Sequence, residues 1–280
     1  MIMLSGVRKQ VHDVIDFHCH PPGWRRTRTA YWRAPSPRDY LRYLRRAGLR
    51  GAALLAHDGL HRATPDSNDD LAAFAAEHPD RFFGFGTVYA PHPHAAAEAR
   101  RCLTDLGLRG IKLHPWLQGV PMHHAGLDAV LAVVAELRGI VLVHDGTPPY
   151  ATAGQIAAAA RRHPTLPVVL GHGGLHDTWR EALALTATTP NLYLCLCGTP
   201  PYAARTIVRQ APPEKVLFGT DAGLAPGPAQ EYAVARVREI SDWGVADADR
   251  VRILSANPAR LLGIDPLPPI TAEEAGDHDH

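Results

Sequence analysis

The chain has 280 residues, of which 46% are hydrophobic, enough for one large core or two modest ones. Its formal charge of +1 supplies no general basic surface for nucleic acid or an anionic membrane. No apolar run approaches the ~18 residues of a spanning helix, so no membrane partner is expected.

The start, Met1 to Lys9, lacks the apolar stretch of about 7 to 15 residues and the cleavage site of a secretion signal, and a cytoplasmic protein is expected. Short β-branched or aromatic runs then alternate with Ala/Leu/Arg-rich stretches of helical period. Strands are predicted at 14–18, 51–56, 82–88, 109–114, 140–144, 167–172, 191–197 and 215–221. Helices are predicted at 37–48, 66–78, 92–106, 124–138, 152–163, 176–188, 200–211 and 228–241. Eight β-then-α units in ~250 residues match the count and size of a closed TIM-type (β/α)8 barrel. A doubly wound open sheet would need some of these strands to be absent. Asp247 to Gly263 reads as an added C-terminal helix that distorts the simple barrel plan. One domain is therefore expected over 1–265, followed by a polar, disordered tail over 266–280 that ends Asp277-His278-Asp279-His280.

Parallel barrels place their reacting groups where strands end, and the ends here are polar. The first strand ends in His18-Cys19-His20, whose imidazoles share a face by alternation. The second ends in His57-Asp58, the fourth in Lys112-Leu113-His114 and the fifth in His144-Asp145. The sixth ends in Gly171-His172-Gly173-Gly174 and the eighth in Gly219-Thr220-Asp221. Strict alternation gives an inward set of Asp16, His18, His20, Lys112, His114, Ile140, Leu142, His144, Val168, Leu170, His172, Gly219 and Asp221.

Borderline metals such as zinc accept imidazole nitrogen and carboxylate oxygen, and a catalytic site leaves a position for water. His18, His20, His144 and Asp221 would be the protein ligands. The ion would lower the pKa of its water from about 15.7 toward ~7, and Asp221 would accept a proton from it. His172 would polarise substrate or shuttle a proton, or else be a hydrogen-bonded structural histidine.

These residues resemble the metal-dependent amidohydrolase superfamily: His18-x-His20 on the first strand, His144 on the fifth, His172 on the sixth and Asp221 on the eighth. Gly110-Ile111-Lys112-Leu113-His114-Pro115, Gly171-His172-Gly173-Gly174, Phe218-Gly219-Thr220-Asp221 and Asn257 to Gly263 are similar to its amidohydrolase-2 branch, which includes the aminocarboxymuconate-semialdehyde decarboxylase-like enzymes. The resemblance runs from about 14 to 263. It implies a TIM-type barrel and a catalytic divalent ion, commonly zinc. The branch contains both hydrolases and decarboxylases, so fold and metal transfer more safely than reaction.

Lys occurs only at 9, 112 and 215 among 29 basic residues, which sets Lys112 apart. Two-metal members of the superfamily bridge their ions with a carboxylated lysine on the fourth strand. One zinc is nonetheless favoured here, with an unmodified Lys112 left to bind a substrate carboxylate. His57 and His114 are candidates for substrate contact, with a structural role as the alternative for each. Arg25, in a loop with Trp24, Arg26, Arg28, Tyr31, Trp32 and Arg33, would hold a carboxylated or conjugated ligand. The same loop would equally serve as a lid or as the subunit contact of a homo-oligomer. Trp116, Gln118, Tyr150 and Trp179 follow strand ends and would line the mouth.

Cys195 and Cys197 alternate with Leu192, Leu194 and Leu196, which puts the thiols in the lumen if the leucines meet the helices. Small lumen packing is the reading favoured for them over a ligand or nucleophile at Cys197. The expected function is metal-dependent hydrolysis of an amide, lactone or carbon–carbon bond in a small carboxylate-bearing molecule. Non-oxidative decarboxylation of an aromatic or unsaturated acid is the alternative, and a catalytically silent ligand-binding barrel the second.

Overall fold

The computed structural model describes residues 14–20, 36–222, 235–240 and 243–276. Eight parallel strands follow one another in sequence order: β1 Val14–Cys19, β2 Leu49–Leu55, β3 Phe82–Thr87, β4 Gly110–Leu113, β5 Ile140–Val143, β6 Val168–Leu170, β7 Leu192–Cys195 and β8 Val216–Leu217. Past the end of β8 the chain turns back to β1. Phe17 N–H donates to Phe218 O at 2.9 Å, His20 N–H to Ala222 O at 2.7 Å, and Cys19 pairs in parallel with Ala222. The ring is thus the TIM-type barrel that the alternating pattern predicts.

The helices lie outside: α1 Pro37–Ala47, α2 Asp66–Ala76, α3 Ala95–Thr104, the single turn α4 Pro115–Gln118, α5 Ala125–Glu136, α6 Ala153–Arg162, α7 Trp179–Thr188, α8 Pro201–Gln210 and residues 235–240 (α9). Local chemistry fixes their ends. Ser36 caps α1 reciprocally with Asp39, Pro37 occupies its first turn, and Gly48 takes the left-handed conformation that ends it. None of the helices, over the described residues, is long and apolar enough to cross a membrane.

Alternation divides the core into two layers. One lies between strands and helices; the other fills the lumen with Ile15, Phe17, Ala53, Leu55, Phe83, Phe85, Ile140, Leu142, Val169, Cys195, Cys197 and Leu217. Cys195 and Cys197 face inward and Leu192, Leu194 and Leu196 outward, as their spacing predicts. Two expected phases are wrong. Ile15 and Phe17, not Asp16, occupy the lumen on β1, because the register shifts between Asp16 and Cys19 and only then brings His18 inward. On β6, Val169 faces the lumen while Val168 and Leu170 meet the helices, since the strand ends before Gly171 and the turn re-aims His172.

The added C-terminal segment closes the bottom of the barrel. It runs as α10 Asp247–Val251, a π-helical turn Arg252–Ala256 and α11 Asn257–Leu262. The buried Asn257 donates to Pro213 O at 2.7 Å and Val216 O at 2.8 Å, so the Asn257 to Gly263 phrase ties this segment to the start of β8. Ala259 and Leu262 pack into the lumen floor. The tail departs from the disordered expectation as far as Gly276. Leu267 packs under Gly51, Ile270 is buried, and Thr271 caps the short α12 Ala272–Ala275. Arg81 donates to Pro268 O at 2.6 Å and pairs with Glu274 at 3.1 Å, clamping this strap across the barrel floor. Residues 277–280, with the two terminal histidines, lie outside the described residues.

Candidate metal centre

The first and last strands meet at a carboxylate clasp. Asp16 Oδ1 accepts the backbone N–H groups of His18 and Thr220, each at 3.1 Å, and Asp16 Oδ2 accepts the Thr220 hydroxyl. Burial raises this carboxyl to about 7 in spite of those bonds. The clasp seats His18, His20 and Asp221 beside one another. Asp221 itself sits at φ 59, a left-handed backbone that a non-glycine residue seldom adopts and that surrounding structure must hold in place.

Both β1 imidazoles are oriented by main-chain carbonyls. His18 Nδ1 lies 2.8 Å from Gly171 O and His20 Nδ1 lies 3.2 Å from Leu55 O. A carbonyl can only accept, so Nδ1 carries a proton in each ring, which leaves Nε2 as the nitrogen that a neutral ring presents to a metal. Those Nε2 atoms lie 3.3 and 3.2 Å from Asp221 Oδ1, a buried atom with no hydrogen-bond donor. Two imidazole lone pairs and a carboxylate oxygen facing one another repel unless a cation lies among them. Carbonyl-oriented imidazoles are also the usual outer support of a metal-ligating histidine. The donor set therefore fits a divalent ion.

The surrounding electrostatics keep His18, His144, His172 and Asp221 free of an added proton. Burial, followed by the Lys112 charge, holds His18 well below its ordinary pKa, and burial lowers His172 to about 3. His144 is pushed far down by burial and by His172. Burial opposes ionisation of Asp221, but His20, His18 and His172 together hold its carboxyl well below the usual range. Lys112 is completely buried, its Nζ is 3.2 Å from His18 Nε2, and burial lowers it to about 8.

Two glycines make room for this convergence. A Cβ on Gly219 would lie 2.6 Å from Cys195 Sγ, 2.7 Å from His18 Cβ and 3.1 Å from Cys197 Cβ. On Gly171 it would come within 3.2 Å of His18 Cε1. Only bare backbone permits β8 and β6 to approach His18 so closely.

His172 joins the cluster with its ring 4.6 Å from that of His18, and His144 lies 4.1 Å from His172. His114 stacks on His144 at 3.7 Å, while its Nδ1 accepts Leu117 N–H at the start of α4. His114 therefore buttresses His144 and caps a turn, a structural arrangement of the kind named as the alternative to substrate contact. His57 stands at the edge, its ring 5.7 Å from His20. Trp116 is half exposed at the rim, 6.3 Å from the His114 ring. Gln118 does not line the mouth. Its amide is consumed by Val88 O and Ala90 N–H. Trp179 is buried in the outer core, with Arg180 over its ring. Arg25 and its aromatic loop lie outside the described residues.

Two participants were not assigned from the sequence. Cys197, read as packing, offers a sulfur that lies with His18, His172 and Asp221 donor atoms within 4.8 Å of one another. Asp145, next to His144, is fully buried and accepts His172 N–H and Gly174 N–H, each at 2.6 Å, which fixes the turn that aims His172. An acid immediately after a strand-end histidine was the available signal. Its target lies 27 residues away, in the turn that follows the next strand.

Comparison with known proteins follows the same lines. The chain is 24% identical over 262 residues to gamma-resorcylate decarboxylase of Rhodococcus jostii (strain RHA1), covering 71% of this chain and 76% of that protein. It is 23% identical over 240 residues to 2-amino-3-carboxymuconate-6-semialdehyde decarboxylase of Dictyostelium discoideum, covering 71% and 66%. The solved dihydroxybenzoic acid decarboxylase of Polaromonas sp. JS666, which holds manganese and 2-nitroresorcinol, superposes with a TM-score of 0.67 at 18% identity over 90% of this chain and 97% of that one. The amidohydrolase family model Amidohydro_2 matches residues 15–264, and with barrel, cluster and relatives in agreement the chain belongs to that family, in its aminocarboxymuconate-semialdehyde decarboxylase-like branch.

Proposed function

We propose that this protein is a divalent-metal-dependent, non-oxidative decarboxylase of a small aromatic or unsaturated acid. The observation that carries the reading is the meeting of His18, His20 and Asp221 around one point, in a chain whose named relatives are decarboxylases. Hydrolysis, the reaction first expected from the sequence, has support only at the level of the superfamily. His18, His20, Asp221 and, from the fifth strand, His144 would hold the ion. When bound, the ion supplies Lewis-acid polarisation of the acid's oxygens. Manganese in a solved neighbour supports a divalent ion without favouring zinc.

The chain's own groups supply the rest. Lys112, unmodified and fully buried beside His18, offers an ammonium to the substrate carboxylate before cleavage. The bond from the ring or vinyl carbon to the carboxyl carbon then breaks, its electron pair stays on the former, and carbon dioxide leaves. His172, neutral with one N–H and fixed by Asp145, delivers a proton to that carbon and recovers it from solvent.

The test is turnover of metal-loaded protein on a panel of hydroxylated benzoates, including gamma-resorcylate, and unsaturated acids, in deuterated and oxygen-18 water. The expected result is carbon dioxide released one for one with deuterium on the carbon that bore it, and no labelled oxygen in the organic product. Labelled oxygen in that product without carbon dioxide would restore hydrolysis. Tight metal binding with no turnover of any acid would point to the silent barrel.

A further inference from the structure

Cys197 has no part in that reaction, yet it lies at the floor of the cluster. It follows β7 by two residues, and alternation carries it to the lumen with Cys195 while Leu194 and Leu196 pack outward. Its Sγ and the donor atoms of His18, His172 and Asp221 all lie within 4.8 Å of one another, and bonds of about 2.0–2.3 Å to a single ion would draw them only slightly closer. It is completely buried, and the bare backbone of Gly219, just past the neighbouring strand β8, lets the Cys197 Cβ and that of His18 close on one point, 3.1 and 2.7 Å from where a Gly219 Cβ would sit.

We propose that Cys197 is a ligand of this centre and that its sulfur biases the site toward thiophilic ions such as zinc and cobalt over manganese. The inference rests on the metal-centre reading above. Binding breaks the S–H bond, forms a metal–sulfur bond and sends the proton to solvent. Imidazole and carboxylate alone serve manganese well, whereas a thiolate selects softer ions. The chain would thereby differ in metal choice from its manganese-holding structural neighbour.

The experiment loads the metal-free protein with cobalt(II) and records its absorption. The wild-type protein should show both the visible bands of bound cobalt and a near-ultraviolet sulfur-to-cobalt charge-transfer band. Cys197→Ser and Cys197→Ala should keep the visible bands and lose the charge-transfer band, while Cys195→Ser keeps both. Competition titrations should show zinc affinity falling at least ~10-fold in Cys197→Ser, with manganese affinity changed by less than about threefold. Visible bands without the sulfur band in wild type, or a sulfur band that survives in either Cys197 variant, overturns the thiolate ligand and leaves the metal centre standing. Equal losses of zinc and manganese affinity overturn the selectivity. Absence of any bound cobalt, zinc or manganese overturns the metal centre itself. Circular dichroism of both Cys197 variants separates ligand loss from misfolding.

Discussion

Gly219→Ala tests whether the approach of β8 to His18 is what creates the ion site. The added methyl would sit 2.6 Å from Cys195 Sγ and 2.7 Å from His18 Cβ, where non-bonded atoms prefer roughly 3.5–4.0 Å. About 1 Å must be found on two sides at once, and a swing of the His18 ring does not supply it. That ring is pinned through Nδ1 to Gly171 O, and Gly171 is itself packed against Val143 O. The strain must pass into the separation of β1 from β8, and hence into the 3.3 Å gap between His18 Nε2 and Asp221 Oδ1. Overpacking of this kind costs on the order of 1–3 kcal/mol. Loss of ligand geometry should weaken metal binding by ~10- to 100-fold. Gly48→Ala is the matched control. Gly48 has φ +76 with nothing within 4 Å of an added Cβ, so the change costs ~1–2 kcal/mol of backbone strain far from the site. Urea unfolding of the metal-free proteins and competitive metal titration should show similar stability losses but an affinity loss only in Gly219→Ala. Equal affinity in the two variants, or no effect of Gly219→Ala on either measurement, refutes the argument.

His144→Ala should weaken metal binding at least ~10-fold while urea unfolding of the metal-free protein changes far less, and unchanged affinity removes His144 from the ligands. Arg81→Ala should cost on the order of 2–3 kcal/mol, because a buried guanidinium leaves Pro268 O and Glu274, and proteolysis should begin in the 264–276 strap. Burial lifts the Glu274 carboxyl, but the Thr271 N–H and Arg81 pull it to a net value below the ordinary 4.5. Its contribution is therefore complete above about pH 4.5 and lost as pH falls further, so strap cleavage should rise on acidification in wild type and respond less in Arg81→Ala. Chelation should lower the melting temperature and metal return should restore it, with a stabilisation of ~2.7 kcal/mol at an ion concentration one hundred times its dissociation constant.

Much of this organisation was legible in the chain because each barrel unit repeats the same local choice. β-branched runs end in polar groups, and Ala-rich amphipathic stretches follow. Strand-end placement brought His18, His20, His172 and Asp221 to one rim without any knowledge of the fold's details. The phase of β1 was not legible, since a register shift between Asp16 and Cys19 depends on β2 and β8 rather than on residues 14–20. The role of Asp145 was not legible because its partners are backbone N–H groups in the turn after the next strand, which carry no sequence signature. Polar composition hid the docking of residues 266–276, where one buried arginine from the start of β3 holds the strap's carbonyls. Cys197 reads as packing because its approach to His18 rests on Gly219, just past the neighbouring strand β8, a contact that leaves no mark in the residues around Cys197 itself.

The clasp between Asp16 and Thr220 has a consequence for how the protein matures. Its two halves are separated by 204 residues, and the donors it aligns belong to the first and last strands of the ring. A nascent chain that has emerged only as far as β7 possesses His18, His20, His144 and His172 but lacks the carboxylate that draws two of them together. Such a chain holds scattered imidazoles of ordinary, weak affinity. On the proposed ligand set, capture of the ion would await both the synthesis of Asp221 and closure of the ring, and a copy truncated before β8 would lack the assembled site.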